Sequence, residues 1–296
     1  MATTTTAPNT TPSLIPDFAF DPSIAIPKGP IATVRRAVRD SALILRTNVK
    51  HFLAQPGQII GMIAMPIIFI ILFGYVFGSA IQIPGVSNYR EFMMPGIFAQ
   101  SAAFTMVAAA VGMAEMKEKG QMDRFRSLPM SRSAVLVGQA FYQVLNTLVG
   151  TITMVVAALA TGWRIHTSPL EGLAGFGILL LFVVAVNFVG VCIGMVAHNA
   201  TMADTITMPI TMPLTFLANT FVAPELLPGW LQPVAEWNPL SATVAAMRNL
   251  WGNASTVVPA HQAWPLANPE IASILFSLIL IAVALPLSVW LYRRES

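Results

Sequence analysis

Long uncharged apolar runs, broken by short polar stretches, dominate the chain from residue 59 onward. They fall at 59–81, 92–114, 134–163, 172–197, 205–222 and 271–292. Crossing a hydrocarbon core of roughly 30 Å takes about 20 helical residues, with a range of about 17–25, and each of these runs is long enough. The third is long enough to tilt or to project from the bilayer. The pattern predicts an all-α integral membrane protein with six transmembrane helices.

Two further segments are apolar without spanning. In 31–54, Ile31, Val34, Val38, Ala42, Leu45, Val49 and Phe52 recur at steps of three or four, while Arg35, Arg36, Arg39, Arg46 and Lys50 fall mainly on other faces. This predicts a basic amphipathic helix lying in the membrane interface, ended by Pro56 and Gly57. Between the fifth and sixth runs, 224–254 holds Leu226, Leu227, Trp230, Leu231, Trp237, Leu240, Met247, Leu250 and Trp251, interrupted by Pro228, Pro233 and Pro239. It is too broken to span and too apolar for an ordinary loop. A re-entrant or interfacial helical hairpin is expected, with its tryptophans at headgroup level.

Composition agrees with the pattern. The 296 residues are 55% hydrophobic and 10% charged, against about 25% charged in soluble domains. So few charges could not cover a water-soluble globule of this size. Residues 1–27 contain no Lys or Arg and no apolar run, so no secretory leader is expected there. Their Thr and Pro content predicts a disordered tail over 1–30, ahead of one transmembrane domain over 31–296.

Charge placement sets the expected topology. Lys28, Arg35, Arg36, Arg39, Arg46 and Lys50 precede the first span. Lys117, Lys119, Arg124, Arg126 and Arg132 lie between the second and third, and Arg293 and Arg294 follow the last. Only Arg90, Arg164 and Arg248 fall on the other side. The richer side is cytoplasmic by the positive-inside rule. Both termini, the tail included, are then cytoplasmic, which requires an even number of spans.

Several chemistries find no support. There is no phosphate-cradling Gly-rich loop, no H-E-x-x-H and no G-x-S-x-G. His51, His166, His198 and His261 are scattered near span ends, and the single cysteine, Cys192, sits in an apolar run. No metal spacing and no disulfide framework follow. No carboxylate occupies the middle of a span; Asp204, at the start of the fifth, comes nearest. This weighs against an ion-coupled transporter or channel, which needs a mid-membrane charge. The chain is not expected to be an enzyme, nor to bind a cofactor, a metal or nucleic acid.

The spans carry uncharged polarity and small residues instead. Gly74-x-x-x-Gly78 and Gly190-x-x-x-Gly194 would let helices approach closely. Pro66, Pro209, Pro213 and Pro286 would kink their spans. Gln100, Thr105, Asn187, Thr215 and Asn219 are in-span polar residues, serving either as glue between helices or as substrate contacts. In the loop 115–133, mixed charges surround Met122, Phe125 and Leu128 at a spacing of three. A short helix docking into a groove of another protein fits this composition.

Two stretches resemble a known family. The loop 118–129, EKGQMDRFRSLP, resembles the loop after the second span in ABC-2 type exporter permeases. The run 213–224, PLTFLANTFVAP, continuing through Leu227-Pro228-Gly229-Trp230-Leu231 to Asn238-Pro239-Leu240 and Arg248, is similar to that family's late signature. The likeness covers 31–294 and is nearest to the daunorubicin-resistance, DrrB-like, group. It implies a permease subunit in a bacterial cell membrane, paired with a second permease chain, the same or related, and with a cytoplasmic ATP-binding cassette ATPase dimer that holds ATP and Mg. Glu118, Met122, Arg124, Phe125, Arg126 and Leu128 would belong to a coupling helix on the ATPase. Gln100, Thr105, Thr215, Phe216 and Asn219, on spans two and five, would flank the path. In this loop Lys119 follows Glu118, where some relatives carry a denser acidic cluster. The implied cargo is a hydrophobic or amphipathic drug-like compound or a lipid, moved outward as in antibiotic resistance. A polysaccharide is the alternative within the family.

Overall fold

A computed structural model describes residues 64, 67, 68, 71, 72, 85, 86, 88–120, 147–220, 224–257 and 262–294. The tail, the interfacial helix at 31–54, most of the first span at 59–81 with Gly74 and Gly78, and the start of the third lie outside the described residues. Among the described residues every regular element is helical.

Helix α1 is Tyr89–Glu118. Asn88 caps it, its Oδ1 accepting the Arg90 N–H at 3.1 Å. It ends where Gly120 takes φ +63°, a left-handed conformation that glycine adopts without a Cβ clash. Thirty residues give a rod of about 45 Å, which projects beyond a bilayer core. Helix α2, Thr147–Ala160, is the described part of the third run. Helix α3, Pro169–Val196, opens on a capping box between Ser168 and Glu171 with Pro169 in the first turn. Helix α8, Pro269–Arg294, contains Pro286. By length and composition α1, α3 and α8 can each cross a membrane.

The fifth run differs from its predicted bounds of 205–222. Its helix, α4, is Ala200–Phe216 and starts earlier because the Asn199 side chain accepts the Met202 N–H at 2.8 Å. It stops earlier because side chains from elsewhere take the carbonyls that further turns would use. Asn238 Nδ2 donates to the Leu214 carbonyl at 2.8 Å, and an Arg248 guanidinium nitrogen donates to the Thr220 carbonyl at 2.9 Å.

The apolar segment that follows contains a 3-10 turn, Pro224–Leu226, and two short helices, α5 at Gln232–Glu236 and α6 at Pro239–Trp251. Asn238 caps α6, and Gly252 at φ +70° ends it. At 13 residues, about 20 Å, α6 is too short to span. A four-residue helix, α7 at Trp264–Ala267, leads into α8.

Contacts give the helix directions. Gly190 of α3 lies on the Met106 carbonyl of α1, and Gly194 on that of Ala110, so α1 and α3 run the same way. Cys192 of α3 donates its thiol to the Ala284 carbonyl of α8 at 3.0 Å, while Thr243 of α6 meets Ser273 of α8 at 2.8 Å nearer the other end. Helix α4 is antiparallel to α1: Ala203 clusters with Ala110 and Ala114, whereas Thr220, just past α4, meets Gly96. The main core fills the contacts of α1 with α3 and α6, around Met93, Met94, Ile97, Phe182, Leu240 and Met247. Helix α8 presents Ile271, Leu275, Leu278, Val283 and Leu287 outward, a face suited to lipid.

One expectation about the tryptophans is corrected. Trp230 and Trp237 are exposed, as headgroup-level side chains would be, but Trp251 is fully buried. It packs with Trp163, Phe98 and Phe176 at centroid distances of 4.9–5.7 Å, and its Nε1 donates to the Gly172 carbonyl at 3.0 Å. The indole is buried because both its rings and its N–H find partners inside.

Candidate functional site

The sequence singles out two regions, one at each end of α1. At the end carrying Glu118, Lys117 reaches across to α3. Its Nζ donates to the carbonyls of Met195 at 2.8 Å and Ala197 at 3.2 Å. A cation at the carbonyl end of a helix also meets the negative pole of its dipole. Lys117 thus ties the last turn of α1, where the 118–129 loop begins, to the last turn of α3. Glu118 and Lys119 are exposed. Lys119 pairs with Glu115 at 2.7 Å, and the Glu115 carboxylate holds its ammonium above the ordinary lysine value by hydrogen bond and charge. Met122, Arg124, Phe125, Arg126 and Leu128 lie outside the described residues.

Toward the other end, α1 and α4 form a seam. On α4 the buried residues are Ala203, Thr207, Thr211 and Thr215, one per turn. Each threonine hydroxyl donates to the carbonyl four residues back: Thr207 to Ala203, Thr211 to Thr207 and Thr215 to Thr211, at 2.6–3.0 Å. The hydroxyls are thereby satisfied inside the helix, and the stripe presents methyl groups to α1. Pro209 and Pro213 lie on the exposed face. Having no N–H, they leave the carbonyls of Thr205 and Pro209 without the usual helical donor.

The five residues proposed to flank a path are placed unequally. Gln100, Thr215 and Asn219 are buried within the chain, Thr105 is half-buried with its hydroxyl on the Ala102 carbonyl, and Phe216 is exposed. The antiparallel register set by Gly96 and Thr220 brings Gln100 level with Thr215 and Phe216. Gln100 Nε2 and Asn219 Oδ1 are buried without a hydrogen-bond partner, as are both amide atoms of Asn187 on α3. Buried amides left in this state cost free energy on the order of 1–3 kcal/mol each.

Sequence reasoning missed the residue that joins these pieces. Arg248 was counted among the few charges on the sparser side. In the structure it is 4% exposed. Its Nε donates to the Phe92 carbonyl at 2.8 Å, a terminal nitrogen donates to Thr220, and the guanidinium lies 3.5 Å from the centroid of the Phe92 ring. Nearby, Asn219 N–H donates to Ser241 Oγ at 3.1 Å. The only advance signal was its place in the run 238–248. Among the described residues, no group of His, Cys, Asp and Glu has the arrangement of a metal site.

Comparison with known proteins identifies a family. Residues 41–251 match the model of the ABC-2 type transporter family. The daunorubicin resistance ABC transporter permease protein DrrB1 of Streptomyces coeruleorubidus is 31% identical over 247 residues, covering 83% of this chain and 82% of its own length. The doxorubicin resistance ABC transporter permease protein DrrB of Mycobacterium tuberculosis is 26% identical over 248 residues, covering 80% and 84%. With the family match spanning the helices that build the α1–α4 seam and the buried α6, the chain belongs to the ABC-2 type transporter family.

Proposed function

We propose that this chain is the membrane permease of an exporter that moves a hydrophobic or amphipathic drug-like molecule out of a bacterial cell, driven by ATP hydrolysed on a partner. Two permease chains and two ATPase subunits make the working unit. The Lys117 end faces the cytoplasm and the Trp251 end faces outward, with six spans and α5–α6 re-entering from outside.

The observation that carries the reading is the open face of α4. Its carbonyls freed by Pro209 and Pro213 sit beside exposed Ile210, Met212 and Phe216. Backbone polar groups are not left facing hydrocarbon; they are covered by protein or line a wet passage. An α4 face that is apolar with polar gaps suits both a second permease and an amphipathic cargo. The threonine-lined side, turned to α1, brings Gln100 and Asn219 to the same seam. The names of the two relatives point to anthracyclines as a first cargo to try.

Everted vesicles containing the chain and its ATPase should take up a fluorescent anthracycline when ATP is added. Vesicles with the chain alone should neither hydrolyse ATP nor accumulate it. Uptake independent of the ATPase, or driven by a proton gradient alone, would sink the reading.

A further inference from the structure

A fully buried guanidinium that spends its donors on two main-chain carbonyls joins three segments distant in sequence. Phe92 lies in the first turn of α1, Thr220 follows α4, and Arg248 sits in the last turn of α6. Thr220 is pressed so closely on Gly96 that a Cβ there would meet the Thr220 Cα at 2.9 Å. Side chains of α6 and the residue preceding it hold the stretch 214–220 at three points: Asn238 on the Leu214 carbonyl, Ser241 on the Asn219 N–H, and Arg248 on the Thr220 carbonyl. The first two touch one segment each. Of these three side chains, Arg248 alone also grips α1, and so it ties the seam across both helices.

We propose that Arg248 is a positioning residue, a latch that holds the end of the α1–α4 seam shut by bridging the Phe92 and Thr220 carbonyls. This rests on the proposed reading in which α1 and α4 flank the path. Arginine suits the task because its planar fork can serve two acceptors at once, while a lysine ammonium acts as a single point charge. When the seam parts, the guanidinium passes to water and the corner bearing Asn219 and Thr220 moves away from Phe92. The buried Oδ1 of Asn219, unpartnered in the closed seam, then becomes accessible. Gly96 permits the close approach, and Arg248 decides whether it is kept.

The test uses the full-length chain with Cys192→Ala and one reporter cysteine, Asn219→Cys at the latch or Ala158→Cys as a control. Ala158 is equally buried and lies near the same end, beside Trp163. Intact cells receive a membrane-impermeant maleimide, with and without Arg248→Met. Losing a hydrogen bond from a charged group should raise labelling of Asn219→Cys by roughly tenfold, with Ala158→Cys unchanged. Arg248→Lys gives a smaller rise at Asn219→Cys and decides the matter where Arg248→Met does not accumulate. Equal rises at both reporters would mean general loosening, and no rise at Asn219→Cys would mean that the corner is held without Arg248; either overturns the latch. Labelling needs no ATPase, so the exporter reading fails separately, through absence of ATP-dependent uptake by the Arg248 protein.

Discussion

Gly190 and Gly194 let α3 approach the α1 backbone closely. A Cβ added at Gly194 would stand 2.7 Å from Met113 Cβ and run into the Ala110 carbonyl; one at Gly190 would stand 3.0 Å from Ala109 Cβ and run into the Met106 carbonyl. Ordinary contact needs about half an ångström to one ångström more, and the obstacles are backbone, so α1 and α3 must separate. Overpacking of this kind costs about 1–3 kcal/mol. Alanine in a helix returns about 0.5–1 kcal/mol relative to glycine. Gly190→Ala should therefore destabilise by about 1 kcal/mol, within about 0–2.5 kcal/mol, and Gly194→Ala by a similar amount. Gly177→Ala, on the same helix with nothing within 4 Å of its Cβ, should be neutral or slightly stabilising. The assay is thermal unfolding of the detergent-solubilised chain followed by loss of monodisperse material. If Gly190→Ala and Gly194→Ala unfold at the same temperature as Gly177→Ala, the helices have slack at this contact and the close approach is not a stability determinant.

Other outcomes follow from separate parts of the molecule. Phe125→Ala should weaken retention of the ATPase on immobilised permease by about 2 kcal/mol or more, the usual effect of truncating a central aromatic anchor, whereas Arg126→Ala should mainly alter salt dependence; equal retention by both variants makes 118–129 a plain connector. Ser127→Cys should label only from the cytoplasmic side and Ala254→Cys only from outside, in a chain lacking Cys192; labelling from one side alone breaks the six-span topology. Ala254 is the better probe than Asn253, which is buried with its side chain between Trp163 and the Arg164 carbonyl. Trp251→Phe keeps an aromatic ring but removes the indole N–H that donates to the Gly172 carbonyl, and should cost about 1–2 kcal/mol in the same unfolding assay. Phe216→Trp, on the exposed face of α4, should impair export while the permease still assembles, and unchanged export would move the path elsewhere.

The helices α1, α3 and α8 were legible because an uncharged run of sufficient length has few alternatives to crossing a membrane. The close contact at Gly190 and Gly194 was equally visible, since two small residues one turn apart need no tertiary information to mark a flat face. Helix α4 was not, because its end depends on Asn238 and Arg248, which lie 24 and 28 residues from the carbonyls they take. Arg248 shows the difficulty most clearly. Along the chain it looks like a flank charge, and only the Phe92 carbonyl, 156 residues away, makes it an interior one. Trp251 was misplaced for the same reason, since an indole suits an interface and a core equally well until its N–H partner is known. Within the site, Gln100, Thr215 and Asn219 were chosen as polar residues in apolar surroundings, a pattern that carries no direction and so could not separate interior from open faces.

The aromatic knot at Trp163 and Trp251 bears on how the chain is made. Trp163 emerges during synthesis 88 residues before Trp251, and Asn253, the acceptor of its indole N–H, follows 90 residues after it. Helices α1 and α3, which carry Phe98 and Phe176, and Trp163 between them precede Trp251 in the chain, so the centre of the knot is made last. A chain that stops before residue 251 therefore has a hollow at one end of its bundle and lacks the acceptor of the Trp163 indole N–H. Such a fragment would present quality-control proteases with a defect that the finished permease lacks. Completion of the short helix α6, with Asn253 just behind it, is thus the step that fills this end of the bundle.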